Sequence, residues 1–108
     1  PEEFFKEYNL ADLDGASETR ESILEVLNSG WRNNFGRYRV TSFGAPTISE
    51  MINSTYNSEL KRSTVSTHLS KLRDLELISK KQEGRKVKYR LQNPFQKLLV
   101  ESYLFSTQ

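Results

Sequence analysis

At 108 residues and 12.6 kDa the chain has room for one core, and its 28 isoleucine, leucine, valine and phenylalanine residues, about a quarter of the total, exceed the roughly one-fifth level below which disorder wins. The absence of cysteine excludes disulfide frameworks, thiolate metal sites and cysteine nucleophiles together, and fits a cytoplasmic setting; the longest apolar run, Leu98-Leu99-Val100, excludes a membrane-spanning helix or signal-peptide core. The net charge of +2 hides a sorting along the chain: residues 1–30 sum to −6, residues 31–60 to +1, residues 61–90 to +7 and the last eighteen to zero, so a polyanion-binding surface is expected in the third quarter.

In chain order, Phe4, Phe5 and Tyr8 mark a short amphipathic helix. The start at Pro1 instead of Met leaves room for an upstream segment. A stronger helix is predicted over 17–29, with Ser17 as N-cap, Glu18 and Glu21 at its positive end, Ile23, Leu24 and Leu27 on one face, and Gly30 as its stop. Residues 31–46 are too long and aromatic for an idle loop and are expected to hold a short strand over 38–41; Trp31, Phe35, Tyr38 and Phe43 read as packing aromatics. Thr47-Ile48-Ser49-Glu50 has the form of a capping box, opening a short helix with Ile48, Met51, Ile52 and Tyr56 on one face.

After a polar turn over 53–62, a third helix is predicted over 63–76, its core stripe formed by Val65, Leu69 and Leu72. Ser63, Ser66, Thr67, Ser70, Lys71 and Asp74 share the opposite face. Small hydroxyl groups and a lysine let a helix approach a surface and donate hydrogen bonds, whereas an ordinary solvated face is richer in glutamate. A basic β-hairpin follows: in Lys86-Val87-Lys88-Tyr89-Arg90-Leu91 the apolar and basic residues alternate, and Gly84 supplies the turn. A last helix runs from Pro94 to about Phe105.

Helix, helix, hydroxyl-rich helix and basic hairpin make a winged helix-turn-helix, mainly α with a small antiparallel hairpin. Such a helix can lie in the major groove with its N-terminal side chains at base edges while hairpin cations reach phosphates. The segment 47–91 resembles the winged-helix repressors of the ArsR type, on Ser63-Thr64-Val65-Ser66-Thr67-His68-Leu69-Ser70-Lys71-Leu72, then Leu77-Ile78, then Glu83 through Leu91. The resemblance implies a homodimeric transcriptional regulator of palindromic operators, dimerised through its terminal helices. It departs from the family in its longer turn over 53–62, its longer 31–46 segment, and its lack of metal-sensing ligands: there is no cysteine, and the final helix has no histidine and one carboxylate, Glu101.

The chain is therefore expected to be one domain, with a dimerisation segment (1–16), a winged-helix core (17–92) and a dimerisation helix (93–108). Arg62, Ser63, Thr64, Ser66, Thr67, Ser70, Lys71, Arg85, Lys86 and Lys88 are the expected contacts to double-stranded DNA; Phe4, Phe5, Phe95, Leu98, Leu99 and Leu104 are the expected dimer contacts. No metal or cofactor is expected, and His68, the only histidine, is read as an edge-of-core or phosphate-contacting group. Catalysis is not expected either. There is no Gly-rich phosphate loop, no triad, and no calcium loop around Asp12 and Asp14. The alternative is a winged-helix module of a larger protein, such as an archaeal ATPase or a subunit of the transcription machinery.

Overall fold

The computed structural model describes residues 16–106. The chain forms α1 (Ala16–Ser29), β1 (Trp31–Asn34), β2 (Arg37–Val40), β3 (Phe43–Gly44), α2 (Ala45–Tyr56), α3 (Arg62–Asp74), β4 (Ser79–Glu83), β5 (Lys86–Arg90) and α4 (Pro94–Ser106). Phe4, Phe5 and Tyr8 lie outside the described residues.

Ile23, Leu24 and Leu27 of α1, Ile48 and Ile52 of α2, Val65, Leu69 and Leu72 of α3, and Val100, Tyr103 and Leu104 of α4 bury their side chains together, closed from one side by Leu77, Ile78, Tyr89 and Leu91. The predicted stripes of α1 and α3 are therefore the ones that meet. Two sheets flank this core. In one, β3, β5 and β4 run in that order, antiparallel, with Phe43 and Lys80 both opposite Tyr89. The other is a separate antiparallel hairpin of β1 and β2.

Several expectations need correction. The segment 31–46 holds a complete hairpin plus the edge strand β3, not a single strand over 38–41. Its aromatics divide: Trp31 and Phe43 pack on the core, while Phe35 and Tyr38 are exposed. The capping box does not form, because α2 begins three residues earlier, with Gly44 in place of Thr47 as N-cap and Pro46 in the first turn; Ser49 Oγ instead donates to the Pro46 carbonyl at 2.9 Å. Proline carries no N–H and its fixed φ suits a first turn, so the helix starts there and Thr47 lies inside it. Likewise α1 starts at Ala16, so Ser17 is within the helix. On α2, Ile48 and Ile52 are buried but Met51 and Tyr56 are exposed, and Tyr56 donates to Glu25 Oε2 at 3.0 Å, contacting α1 through its hydroxyl. That carboxylate, by hydrogen bond and charge, raises the pKa of the phenol.

The C-terminal end of α3 is set by backbone geometry. Glu76 has φ 63°, the Glu76 N–H donates to the Arg73 carbonyl at 2.8 Å and the Leu77 N–H to the Leu72 carbonyl at 3.1 Å. This is a Schellman closure with glutamate where glycine is usual, and buried Leu72 and Leu77 supply its hydrophobic contact. Gln96, itself buried, welds this corner to β4 and α4: its Nε2 donates to the Glu76 carbonyl (3.0 Å) and its Oε1 accepts from the Gln92 N–H (2.7 Å) and Ser79 Oγ (3.3 Å). Asn93 caps α4 by accepting from the Gln96 N–H at 2.9 Å.

Along α4, Leu104 belongs to the chain's own core at 8% exposure, which removes it from the expected dimer contacts; Leu99 is half-buried, and Phe95 (68%), Leu98 (63%) and Phe105 (71%) are exposed. The reason is angular. At 100° per residue Leu104 lies within about 40° of Val100, while Leu98 lies about 160° from it.

Candidate nucleic-acid interface

α2 and α3 are joined by residues 57–61, a shorter turn than expected because α2 continues through Tyr56. Asn57 stops α2 in the left-handed conformation (φ 52°, ψ 46°), its N–H donating to the Asn53 carbonyl. The Asn53 side chain then braces the turn: Nδ2 donates to the Leu60 carbonyl at 3.0 Å, and Oδ1 accepts from the Leu60 N–H and Ser58 Oγ, both at 2.8 Å. These bonds fix the entry of the chain into α3. No periodic signal marks Asn53 in the sequence.

α3 follows with Lys61 as an N-cap that makes no side-chain hydrogen bond and with no acidic residue in the first turn. The first intrahelical donor with a partner is the Val65 N–H, to the Lys61 carbonyl at 3.2 Å. The preceding amides thus point out of an open, partially positive helix end. Of the residues expected to contact a ligand, Arg62, Ser63, Thr67, Ser70 and Lys71 are exposed, and Thr64 and Ser66 are half-buried. Thr67 Oγ1 donates back to the Ser63 carbonyl at 3.0 Å, which leaves its oxygen lone pair and methyl group as its outward chemistry.

His68 is not on this surface. Its ring is fully buried, so the phosphate-contacting reading falls, and neither ring nitrogen has a hydrogen-bond partner. Burial first, then the charges of Arg20 and Lys71, push its pKa down, which favours the neutral ring. Arg20 is held nearby by its Nε donating to the Tyr103 hydroxyl at 2.7 Å.

The wing carries its turn at Gly84 (φ 63°) and Arg85. Val87, Tyr89 and Leu91 face the core as the alternation predicts, with Tyr89 and Leu91 buried. Arg85 and Lys86 are exposed and have no salt bridge to any described residue. Lys88 differs. Its Nζ lies 3.1 Å from Glu83 Oε2, and Lys81 reaches Glu83 Oε1 at 3.3 Å. Hydrogen bonds from Lys88 and Lys81 hold the Glu83 carboxyl below its ordinary pKa. Two further exposed cations flank the expected set, Lys61 and Lys80, and neither has a salt bridge to a described residue. The charge runs 61–62 and 80–81 were the available signal.

Two stretches are rich in exposed hydroxyls or cations: residues 61–71 on α3, which hold no carboxylate, and Arg85 and Lys86 on the wing tip. Apart from Thr67, whose hydroxyl proton goes to the Ser63 carbonyl, the exposed polar side chains here can donate hydrogen bonds or carry positive charge, which suits a polyanion. Among the described residues no group of three or more histidine, aspartate or glutamate side chains could hold a metal ion, and no helix is long and apolar enough to cross a membrane.

Comparison with known proteins agrees with this architecture. Residues 56–80 match the profile of the bacterial regulatory proteins of the arsR family. No curated protein matches the chain. Eleven chains of solved structures do. One of them, described as the complex structure of hsRosR-S1, aligns with a TM-score of 0.60 at 19% identity over 88% of this chain and 76% of that chain. At that identity the likeness is one of fold, and the fold is the winged helix.

Proposed function

We propose that the chain is a transcriptional regulator that binds double-stranded DNA as a homodimer, with α3 in the major groove and the wing on flanking phosphates. One observation carries the reading: the exposed side of α3 from Arg62 to Lys71 bears hydroxyls and cations without a carboxylate, at an uncapped helix start. The arsR-family match over the same segment supports it. With 13 residues α3 is about 20 Å long, which fits the groove. Its open amides and Arg62 meet a phosphate at the groove edge; Ser63, Thr64, Ser66, Thr67, Ser70 and Lys71 meet base edges or the sugar-phosphate wall. Arg85 and Lys86 neutralise phosphates beyond the groove, and Lys88 does so only after leaving Glu83. The α4 stripe of Phe95, Leu98 and half-buried Leu99, with the segment containing Phe4 and Phe5, forms the dimer contact. No metal or cofactor takes part, and no reaction is catalysed.

A second reading has one observation in its favour. Exposed Phe95, Leu98 and Phe105 equally suit a winged-helix module docked within a larger protein.

The test is a salt titration of two variant sets on operator and random duplexes. Alanine at Thr64, Thr67 and Lys71 costs about 1–3 kcal/mol on the preferred sequence and much less on random DNA. Alanine at Arg85 and Lys86 weakens all sequences alike and lowers the slope of log affinity against log salt by about 0.9 for each lost contact. If neither set changes DNA binding, the module reading replaces this one.

A further inference from the structure

Beyond Trp31, which packs on the core, the hairpin of β1 and β2 belongs neither to the core nor to the expected contacts on α3 and the wing. Pairing Trp31 with Val40 and Asn33 with Tyr38 puts these four on one face, and pairing Arg32 with Arg39 and Asn34 with Arg37 puts three arginines on the other. Trp31 and Tyr38 stack at 4.5 Å and 11°, and with Asn33 they line a recess against Pro94, Lys97 and Glu101 of α4. The arginine face therefore looks away from α4. Arg32, Arg37 and Arg39 are all exposed, Arg32 and Arg39 stand directly opposite each other, and none has a salt bridge to a described residue. Like charges opposed across a ribbon repel, so nothing within the described fold rewards this face.

The tip is equally unrewarded. Phe35 is 100% exposed and sits at φ 53°, followed by Gly36 at φ 81°. Positive φ at both turn residues is the pattern of a tight hairpin turn that prefers Asn-Gly or Asp-Gly, and phenylalanine there is strained and solvated at once. The base is closed and tightly packed: the Thr41 N–H donates to the Gly30 carbonyl at 2.8 Å, and a Cβ on Gly30 would meet the Phe43 ring at 2.6 Å. A two-stranded ribbon with an arginine face, asparagines and an apolar tip has the chemistry of a nucleic-acid clamp. Arginines take phosphates, and a protruding ring stacks on bases or wedges between base steps.

β3 pairs antiparallel with β5, and the chain before Phe43 leads past Arg90, away from the Gly84–Arg85 turn. The hairpin thus leaves the wing sheet at the end opposite the tip that reaches DNA. We propose that the β1–β2 hairpin is a second nucleic-acid contact, which grips through Arg32, Arg37, Arg39 and Phe35 a DNA segment outside the one under α3 and the wing. This deepens the DNA-binding reading and rests on it for the class of ligand.

The experiment uses the full chain, a triple variant (Arg32→Gln, Arg37→Gln, Arg39→Gln) and Phe35→Asn, on a duplex the length of one half-site, about 10 base pairs, and on long linear DNA. Asparagine suits positive φ, so Phe35→Asn folds at least as well as the parent and keeps the test independent of misfolding. Both variants should bind the short duplex like the parent. On long DNA the triple variant should bind on the order of tenfold more weakly, with its salt slope lowered by about 0.9 for each arginine engaged, and Phe35→Asn should weaken binding without changing the slope. Parental affinity and slope of both variants on long DNA would overturn the proposal. So would equal loss on both duplexes, which would put the hairpin in the main footprint, or a change confined to oligomeric state, which would make the face a protein contact. Failure of the underlying reading is separate: there the α3 and wing variants leave short-duplex binding unchanged.

Discussion

Acid should destabilise this protein through His68 before its carboxylates are involved. The ring is fully buried on α3 between the core and the candidate interface, with both nitrogens unpartnered and its pKa pushed below the ordinary 6.5 by burial, then by Arg20 and Lys71. In the unfolded chain the ring takes up a proton as pH falls through 6.5, and in the folded chain it does so only at lower pH. The unfolded state then binds more protons, so stability is full above that value and is lost as pH falls. Between the two pKa values, where the unfolded ring is charged and the folded ring is not, stability falls by up to about 1.4 kcal/mol per pH unit. Leucine at 68 removes both the titration and the unpartnered polar atoms, whose burial costs about 1–3 kcal/mol. Urea unfolding of the parent and His68→Leu, from about pH 8 to about pH 5, isolates the effect because carboxylate contributions cancel in the difference. The variant should match or exceed the parent at neutral pH, and its advantage should grow on acidification. Parallel curves would refute the reasoning, since they require a ring that titrates alike in both states.

Glycine at Glu76 relieves the left-handed strain at the end of α3 and should raise stability by about 0.5–1 kcal/mol in chemical denaturation, with no change in DNA binding; a loss would mean that the glutamate side chain holds the corner. Asn53→Ala removes three side-chain bonds from the turn before α3 and should cost about 1–3 kcal/mol, together with DNA affinity, since it frees the entry of α3; an unfolding midpoint within error of the parent would contradict the brace. Leu98→Glu, at a 63% exposed position, should leave circular dichroism and melting nearly unchanged while light scattering falls from the mass of a dimer to that of a monomer. A parent already monomeric at micromolar concentration would remove the dimer from the proposal.

Periodicity alone determined what depends on local repetition. Val65, Leu69 and Leu72 are spaced for one face of a helix, so they could only be buried together, and that burial left Ser63, Thr67, Ser70 and Lys71 outward. The alternation of Val87, Tyr89 and Leu91 with cations placed the wing in the same way. The hairpin at 31–40 escaped this logic, because most of its residues are exposed on both faces and no hydrophobic alternation marks it; it exists through pairing and through Trp31 docking on the core. Tertiary packing also decided which apolar residues of α4 turn inward. Leu98 and Leu104 are chemically identical, and only the docking of α4 against α1 puts one in water and the other in the core. The same holds for polar groups. Nothing in local spacing distinguishes Gln96, welded at a corner of three elements, from a solvated glutamine, or makes His68 a buried neutral ring, because hydrogen-bond partners and solvent exclusion come from segments distant in the chain.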